Sequence, residues 1–333
     1  MNEEASAFAS LTEDGLRERF EAADYVADDT TVTTVALALQ LGRPLLVEGP
    51  PGSGKTELGK TLAESFDTEL IRLQCYEGLT AENALYEWNY TKQLLAVQAD
   101  ERGVAGDPPA DPSSETEAPD ATDVDGQPSA PSVFDEEFLL ERPLLHALRT
   151  EGDHPPVLLV DEIDRADEAF EAFLLELLSD FQVSIPELGT VRADQPPVVV
   201  LTSNQTRGLS DALKRRCLYL HVEPPSFQTE YDIVRRKVPE LDAAVAAEVC
   251  AVVQRLREES FLKQPGVAET LDWAHAVAQL RLDEDDEPLS ATDIERTIGC
   301  LLKEANDVSS VDTELLEQLE AAAAAAEEQV AGD

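Results

Sequence analysis

The stretch that decides the fold is EGPPGSGKTE, residues 48–57. It follows an apolar run, Leu45-Leu46-Val47, and opens into Leu58-Gly59-Lys60-Thr61-Leu62-Ala63, where apolar residues recur at helical spacing. Small residues where a strand meets a helix let the main chain come close to something. Gly49 through Thr56 fits G-x-x-x-x-G-K-S/T at each fixed position, in the strand-to-helix setting that pattern requires. Its glycines permit backbone angles that turn successive N–H groups into one concavity. The helix opening near Gly54 adds the positive end of its dipole. Lys55 can then reach β- and γ-phosphates, and the Thr56 hydroxyl can ligate Mg²⁺. The candidate nucleotide contact is thus the run Gly49, Pro50, Pro51, Gly52, Ser53, Gly54, Lys55, Thr56 and Glu57, with ATP and Mg²⁺ as the expected cofactors.

Three further places carry chemistry. PPVLLVDEID, residues 155–164, is a continuous apolar run ending in acids. Asp161, at the end of a buried strand, suits the Mg²⁺ shell through water, and Glu162 beside it can polarise an attacking water. Asp164 is expected to cap the helix that follows. After a fourth apolar strand, Thr202-Ser203-Asn204 offers an amide, Asn204, able to hold water or a γ-phosphate without adding charge. In DALKRR, residues 211–216, the basic residues end a short helix before a strand. Cations are favourable at a helix C-terminus in any case. In a ring of such subunits, Arg215 or Arg216 would instead point at the neighbour's γ-phosphate, and the sequence does not choose between them.

Strands of continuous Val, Leu and Ile alternate with helices up to Pro224-Pro225, which predicts a parallel sheet covered on both faces. The predicted strands are 45–48, 70–74, the run before Asp161, 198–202 and 218–222, with a hairpin around residues 186–189. Helical patterns follow at 228–237, 241–259, 267–282 and 292–304. The fold class is therefore α/β, a five-stranded parallel sheet sandwiched by helices and followed by a small all-α domain. The expected division is a core domain over 1–225, a four-helix domain over 226–308 and an acidic C-terminal helical tail over 309–333. Residues 102–132 are Pro, Asp, Ser and Glu with little to bury, which predicts a disordered insert.

Charge is the extreme feature of the composition: 69 acids against 25 bases. Residues 107–131 hold seven of those acids and no base, and removing them leaves 62 against 25. The acidity therefore belongs to the folded parts. A field of this sign repels phosphate backbones, so nucleic-acid binding is disfavoured. Spread evenly, it fits a surface adapted to concentrated salt, where self-repulsion is screened. No apolar run approaches the ~20 residues that cross a bilayer. Met1-Asn2-Glu3-Glu4 lacks the basic and apolar regions of a signal peptide. A cytoplasmic location is expected. Cys75, Cys217, Cys250 and Cys300 lie far apart without C-x-x-C spacing, and read as reduced, mostly buried thiols.

Taken together, the chain resembles an AAA+ P-loop ATPase, and within that class the MoxR branch and its CoxD-type proteins, with a halophilic archaeon as the expected source. The narrower resemblance rests on LLVEGPPGSGKTELGKTLA, LQCYEGLTAENALYEWNYTKQLL, FLLERPLLHAL, LLVDEIDRADEAFEAFLLELLSDFQVSIPELG and VAETLDWAHAV. The resemblance implies a homo-oligomeric ring, commonly a hexamer, with nucleotide at each interface and hydrolysis that moves a helical lid against the core. It implies a chaperone-like role on a client protein, in metalloenzyme maturation or complex assembly, with a von Willebrand factor A domain protein as partner. Carried over, Asp161 and Glu162 are the Walker B pair, Asn204 is sensor 1, and Arg215 or Arg216 is the arginine finger. Residues 266–273, where many lids place a sensor 2 arginine, contain no base. Trp273 there reads as lid core. Tyr76, Trp88 and Tyr90 are either a client-facing surface or packing, and the hairpin tip at 186–189 is a pore element by resemblance alone. Other classes are a nucleic-acid-linked motor, a restriction-type GTPase, and a non-hydrolysing nucleotide-dependent scaffold.

Overall fold

Apolar strands of this kind persist only where helices cover both of their faces, and the chain supplies those helices on either side. The computed structural model describes residues 7–95, 138–186, 189–280 and 288–330, with side chains of the last helix through residue 326. The insert expected at 102–132 lies outside the described residues. In chain order, α1 (Glu13–Ala22) and α2 (Asp29–Leu41) precede β1 (Leu45–Glu48), α3 (Lys55–Ser65) and β2 (Leu70–Gln74). Next come α4 (Ala81–Leu85), β3 (Tyr86–Trp88), β4 (Leu139–Glu141), α5 (Pro143–Arg149) and β5 (Val157–Asp161). A 3₁₀ turn, Ile163–Arg165, leads to α6 (Glu168–Asp180), β6 (Gln182–Ile185), β7 (Gly189–Arg192), β8 (Val198–Ser203), α7 (Asp211–Arg216) and β9 (Leu218–His221).

The five-stranded sheet runs in the order β2-β5-β8-β1-β9, every pair parallel. All positions of β1 and β5 are buried, as their sequences require. Side-chain alternation then sorts the core into two layers. Leu46, Leu158, Val160 and Leu201 pack on one side with Leu144 and Leu145 of α5 and Leu174 of α6. Leu45, Val47, Leu159 and Val200 pack on the other with Phe20, Val35 and Leu58 from α1, α2 and α3.

Two small antiparallel pairs hang on this frame. β6 and β7 form the expected hairpin, with Ile185 opposite Gly189; residues 187 and 188 of its tip are outside the described set. β3 and β4 pair Tyr86 with Glu141 and Trp88 with Leu139. Sequence reading did not foresee that second pair, because its strands are three residues long and far apart in the chain. Trp88 packs edge-on to Tyr86, while Tyr76 and Tyr90 are exposed.

Beyond Pro225 the chain is helical: α8 (Phe227–Lys237), α9 (Ala243–Arg257), α10 (Val267–Leu280), α11 (Ala291–Thr297), a 3₁₀ turn Ile298–Cys300, α12 (Ala305–Ser310) and α13 (Thr313–Val330). The single helix expected over 292–304 is broken where Gly299, a poor helix residue, falls in the pattern. Trp273 is fully buried here, and its indole N–H donates to Thr297 Oγ1 at 2.8 Å. The helical tail expected over 309–333 forms α13 through Val330, and one face of it packs into the helical region. Leu315, Leu316, Leu319 and Ala323 of α13 are buried in one cluster with Val249 and Val253 of α9. Its alanines let α13 lie close to its neighbour, which propensity alone does not reveal. Replacing Leu319, which is 0% exposed, should therefore behave as a core truncation. Leu319→Ala is expected to lose about 2–5 kcal/mol in denaturant unfolding at molar KCl; a loss within about 0.5 kcal/mol would mean a solvated tail.

Candidate functional site

The site is built at the C-terminal ends of β1, β5 and β8, which are neighbours in the sheet. Leaving β1, Gly49 passes between two strands: its N–H donates to Ser203 O at 3.3 Å, and a Cβ there would stand 2.1 Å from Val222 O. Only glycine fits. Gly52 and Gly54 then take φ of +78° and +88°, turning the chain into the first turn of α3. The N–H groups of Gly52, Ser53, Gly54, Lys55 and Thr56 have no hydrogen-bond partner among the described residues. Five unpaired donors at a helix start form a cradle for an anion. Ser53 Oγ closes the loop on Pro50 O at 3.0 Å.

Lys55 is buried, and its ammonium donates to Gly49 O at 2.9 Å and Pro50 O at 2.7 Å. Burial lowers its pKa, while the carboxylates of Asp161, Asp164 and Glu162 pull the other way. The amine therefore sits over the loop, held by weak acceptors that a phosphate oxygen outcompetes. Glu57 does not join this group; it pairs along α3 with Lys60 at 3.0 Å.

Across from the loop, Asp161 is 4% exposed and fully engaged. Its Oδ1 accepts from Thr56 Oγ1 at 3.0 Å and Thr202 Oγ1 at 2.5 Å. Its Oδ2 accepts from Arg72 Nε at 3.1 Å and Arg72 Nη2 at 2.5 Å. Glu162 follows in a left-handed conformation, φ +55°, with its N–H on Thr202 Oγ1 at 3.0 Å. That turn swings its carboxylate out of the strand direction. Asn204 Nδ2 donates to Glu162 Oε1 at 3.3 Å, and Gln74 Nε2 and Arg165 Nε both reach Oε2 at 3.1 Å.

Asp164 does not cap the following helix. Asp167 does, accepting from Phe170 N at 2.8 Å. The Asp164 side chain turns back and accepts from Asn204 N at 3.1 Å, Thr206 N at 2.9 Å and Thr206 Oγ1 at 2.6 Å. It thereby fixes the turn that presents Asn204. Burial pushes its carboxyl upward, but those bonds more than offset it and hold it below the ordinary value.

So Lys55, Thr56, Asp161, Glu162 and Asn204 converge, and Arg215 and Arg216 do not. Both end α7 at the opposite edge of the sheet, just before Leu218, which registers with Leu45 at the start of β1. Their carbonyls accept from the Arg43 guanidinium. Their side chains are exposed, with no hydrogen-bond or ion-pair partner among the described residues. Sequence reading passed over Arg72 and Gln74. The signal was there in LIRLQ, where polar residues alternate on one face of the edge strand.

The helical region meets the loop through main chain. Val267 N–H, opening α10, donates to Gly52 O at 3.0 Å. A Cβ on Gly266 would stand 2.5 Å from Gly52 Cα, so the two glycines admit a contact no other pair allows. A cavity of about 290 Å³ lies beside it, lined by Pro51, Ser53, Pro224, Phe261 and Lys263. A larger one, about 410 Å³, lies at the other end of the strands beside Leu39, Leu45 and Val198, away from the loop. Ligands of open α/β sheets bind beyond the carboxyl ends of the strands, which favours the smaller.

This arrangement is an anion cradle facing a buried carboxylate, and the chain belongs to the AAA ATPase domain family, whose model matches residues 29–201. An uncharacterized protein of Staphylococcus saprophyticus is 40% identical to this chain over 63 residues, 19% of the chain and 24% of that protein. An uncharacterized protein of Staphylococcus aureus strain USA300 is 42% identical over 62 residues, 18% of the chain and 24% of that protein. The chain thus spans about a quarter of the length of the curated relatives it matches. No helix among the described residues is long and apolar enough to cross a membrane.

Because the Asp164 carboxyl is held low, it stabilises the fold above pH 3.8, its ordinary value, and that contribution is lost as pH falls through the folded value. Asp164→Asn should lower stability at pH 7 by about 1–3 kcal/mol. It should also flatten the acid limb of the unfolding profile relative to the parent below pH 3.8. Parallel acid limbs would show that Asp164 does not anchor this turn.

Proposed function

We propose that this chain is a MoxR-like AAA+ ATPase of the CoxD type, which binds ATP with Mg²⁺ and hydrolyses it at the interfaces of a ring to remodel or activate a client protein. The observation that carries the reading is the Thr56 hydroxyl bonded to the Asp161 carboxylate across the phosphate cradle, with Glu162 held beyond it by Asn204. A hydroxyl and a carboxylate, with no thiolate or imidazole, form a donor set suited to a hard divalent cation. When bound, Mg²⁺ neutralises charge on the β- and γ-phosphate oxygens.

The residue roles follow. The Gly52–Thr56 amides take the phosphates, and Lys55 leaves the Gly49 and Pro50 carbonyls for them. Thr56 and Asp161 hold the metal and its waters. Glu162 accepts the proton of the attacking water, and Asn204 keeps Glu162 and that water aligned. The 290 Å³ cavity beside the loop receives the nucleoside. Arg215 or Arg216 completes the site of a second copy, which is why neither belongs to its own. Helices α8–α12 act as the lid, and the Gly52–Val267 contact links lid position to the loop. The acidic surface disfavours nucleic acid and suits a halophilic cytoplasm. A von Willebrand factor A domain protein is the proposed partner, and metalloenzyme maturation or complex assembly the proposed work.

In purified protein at molar KCl, Lys55→Ala should abolish measurable binding of a fluorescent ATP analogue; unchanged affinity and turnover would end this reading. Glu162→Gln should retain ATP and the ring by light scattering while phosphate release falls about 10²–10⁴-fold, the range of general base catalysis. Of Arg215→Ala and Arg216→Ala, one should bind ATP normally yet lose about 10³-fold in turnover. Mixing that variant with Lys55→Ala protein should restore part of the activity. No rescue would place the finger elsewhere.

A further inference from the structure

Arg72 makes a contact that the reading above leaves unused. From the edge strand β2 its guanidinium reaches Asp161 Oδ2 through Nε at 3.1 Å and Nη2 at 2.5 Å. The arginine side chain is half-exposed while the aspartate is 4% exposed, so the cation enters from solvent to meet a buried charge. A buried carboxylate is costly without a countercharge. Lys55 is occupied by the Gly49 and Pro50 carbonyls, 2.9 and 2.7 Å away. Among the described residues, Arg72 is thus the cation in direct contact with Asp161.

The same guanidinium is tied further. Nη2 donates to Gln74 Oε1 at 2.7 Å, and Gln74 Nε2 donates to Glu162 Oε2 at 3.1 Å. Asp161, Arg72, Gln74 and Glu162 form one chain of hydrogen bonds from the candidate metal carboxylate to the candidate base. With both Asp161 oxygens saturated by Arg72, Thr56 and Thr202, a divalent cation beside Thr56 can use that carboxylate only by displacing one of these donors. The hydroxyls can rotate and stay. The guanidinium bears like charge to the metal and has a solvent exit.

We propose that Arg72 is a resident counter-ion of Asp161 that competes with Mg²⁺, so that the metal enters only with the negative charge of the nucleotide phosphates. This rests on the Mg²⁺-nucleotide reading of the site. Arg72 is on this view a positioning residue: it keeps the Asp161 carboxylate paired and aimed, and it sets how much Mg²⁺ is needed to displace it. Its release also frees Gln74, so metal arrival is reported to Glu162.

The test is equilibrium binding rather than turnover. A fluorescent ADP analogue is bound to wild type, Arg72→Gln and Arg72→Lys in EDTA, then titrated with Mg²⁺ at constant ionic strength. Separately, Mn²⁺ is titrated into each nucleotide-free protein and free Mn²⁺ is read by its paramagnetic resonance signal. Removing a like charge at this range should lower the Mg²⁺ half-saturation of Arg72→Gln about tenfold. Its affinity in EDTA should stay within about twofold, and it should bind Mn²⁺ without nucleotide, which wild type should not. Arg72→Lys, which keeps the charge on one donor, should fall between; it serves also if the glutamine variant does not fold by circular dichroism. An unchanged or higher Mg²⁺ half-saturation in folded variants would overturn the proposal and reduce Arg72 to a structural brace. Wild type that binds no nucleotide would instead overturn the ATPase reading itself.

Discussion

The Asp161 carboxylate is the group around which the rest of the site is arranged. It is a charge placed at the end of a strand whose five residues are all buried, so it must be compensated where it stands. The compensation comes from three directions. Thr56 joins it to the first turn of α3, Thr202 joins it to β8, and Arg72 joins it to β2. One carboxylate thus locks the phosphate loop, the central strand and the sheet edge into a single geometry. Thr202 matters twice, since the oxygen that donates to Asp161 also accepts the Glu162 N–H.

From that anchor the chain turns sharply. The left-handed backbone at Glu162 is uncommon for a residue with a side chain and costs of order 1–3 kcal/mol. It persists because Thr202 on one side and Asn204, Gln74 and Arg165 on the other hold the residue in place. Asp164 then fastens the Asn204 turn from beneath. Two consecutive loops, after β5 and after β8, are therefore one hydrogen-bonded unit, and the amide and carboxylate they present cannot move independently. Such preorganisation is what charge development in a transition state requires.

The helical region is joined to this unit through main chain. Residues 266–273 carry no base, and the contact is instead between two glycines and a main-chain hydrogen bond, Val267 N–H to Gly52 O. A side chain on either glycine would hold the surfaces apart. Any change in the loop's shape is felt directly at the first turn of α10, whose Trp273 is buried among the other helices. The arginines at the end of α7 stand beside the starts of β9 and β1, at the other ends of the strands from the loop.

Local sequence determined what local sequence can encode. The glycine spacing of the phosphate loop, the continuous apolar strands and the periodic helices named the α/β fold and placed Lys55 and Thr56 at a helix start and Asp161, Glu162 and Asn204 at strand ends. Those features depend on neighbours a few residues away, or on a sheet order that buried parallel strands strongly constrain. The tertiary structure decided the rest. Asp164 could have capped a helix or tied a loop, and which it did depended on Thr206, some forty residues on. Arg72 and Gln74 gained their partners only because β2 lies at the edge beside β5. The alanine-rich end of the chain carried no sign of which face would pack, because alanine is a good helix former either way; only the approach of α9 buried Leu319 and Ala323. Sequence names a residue's chemistry, whereas its partner is set by which strands and helices come to lie side by side.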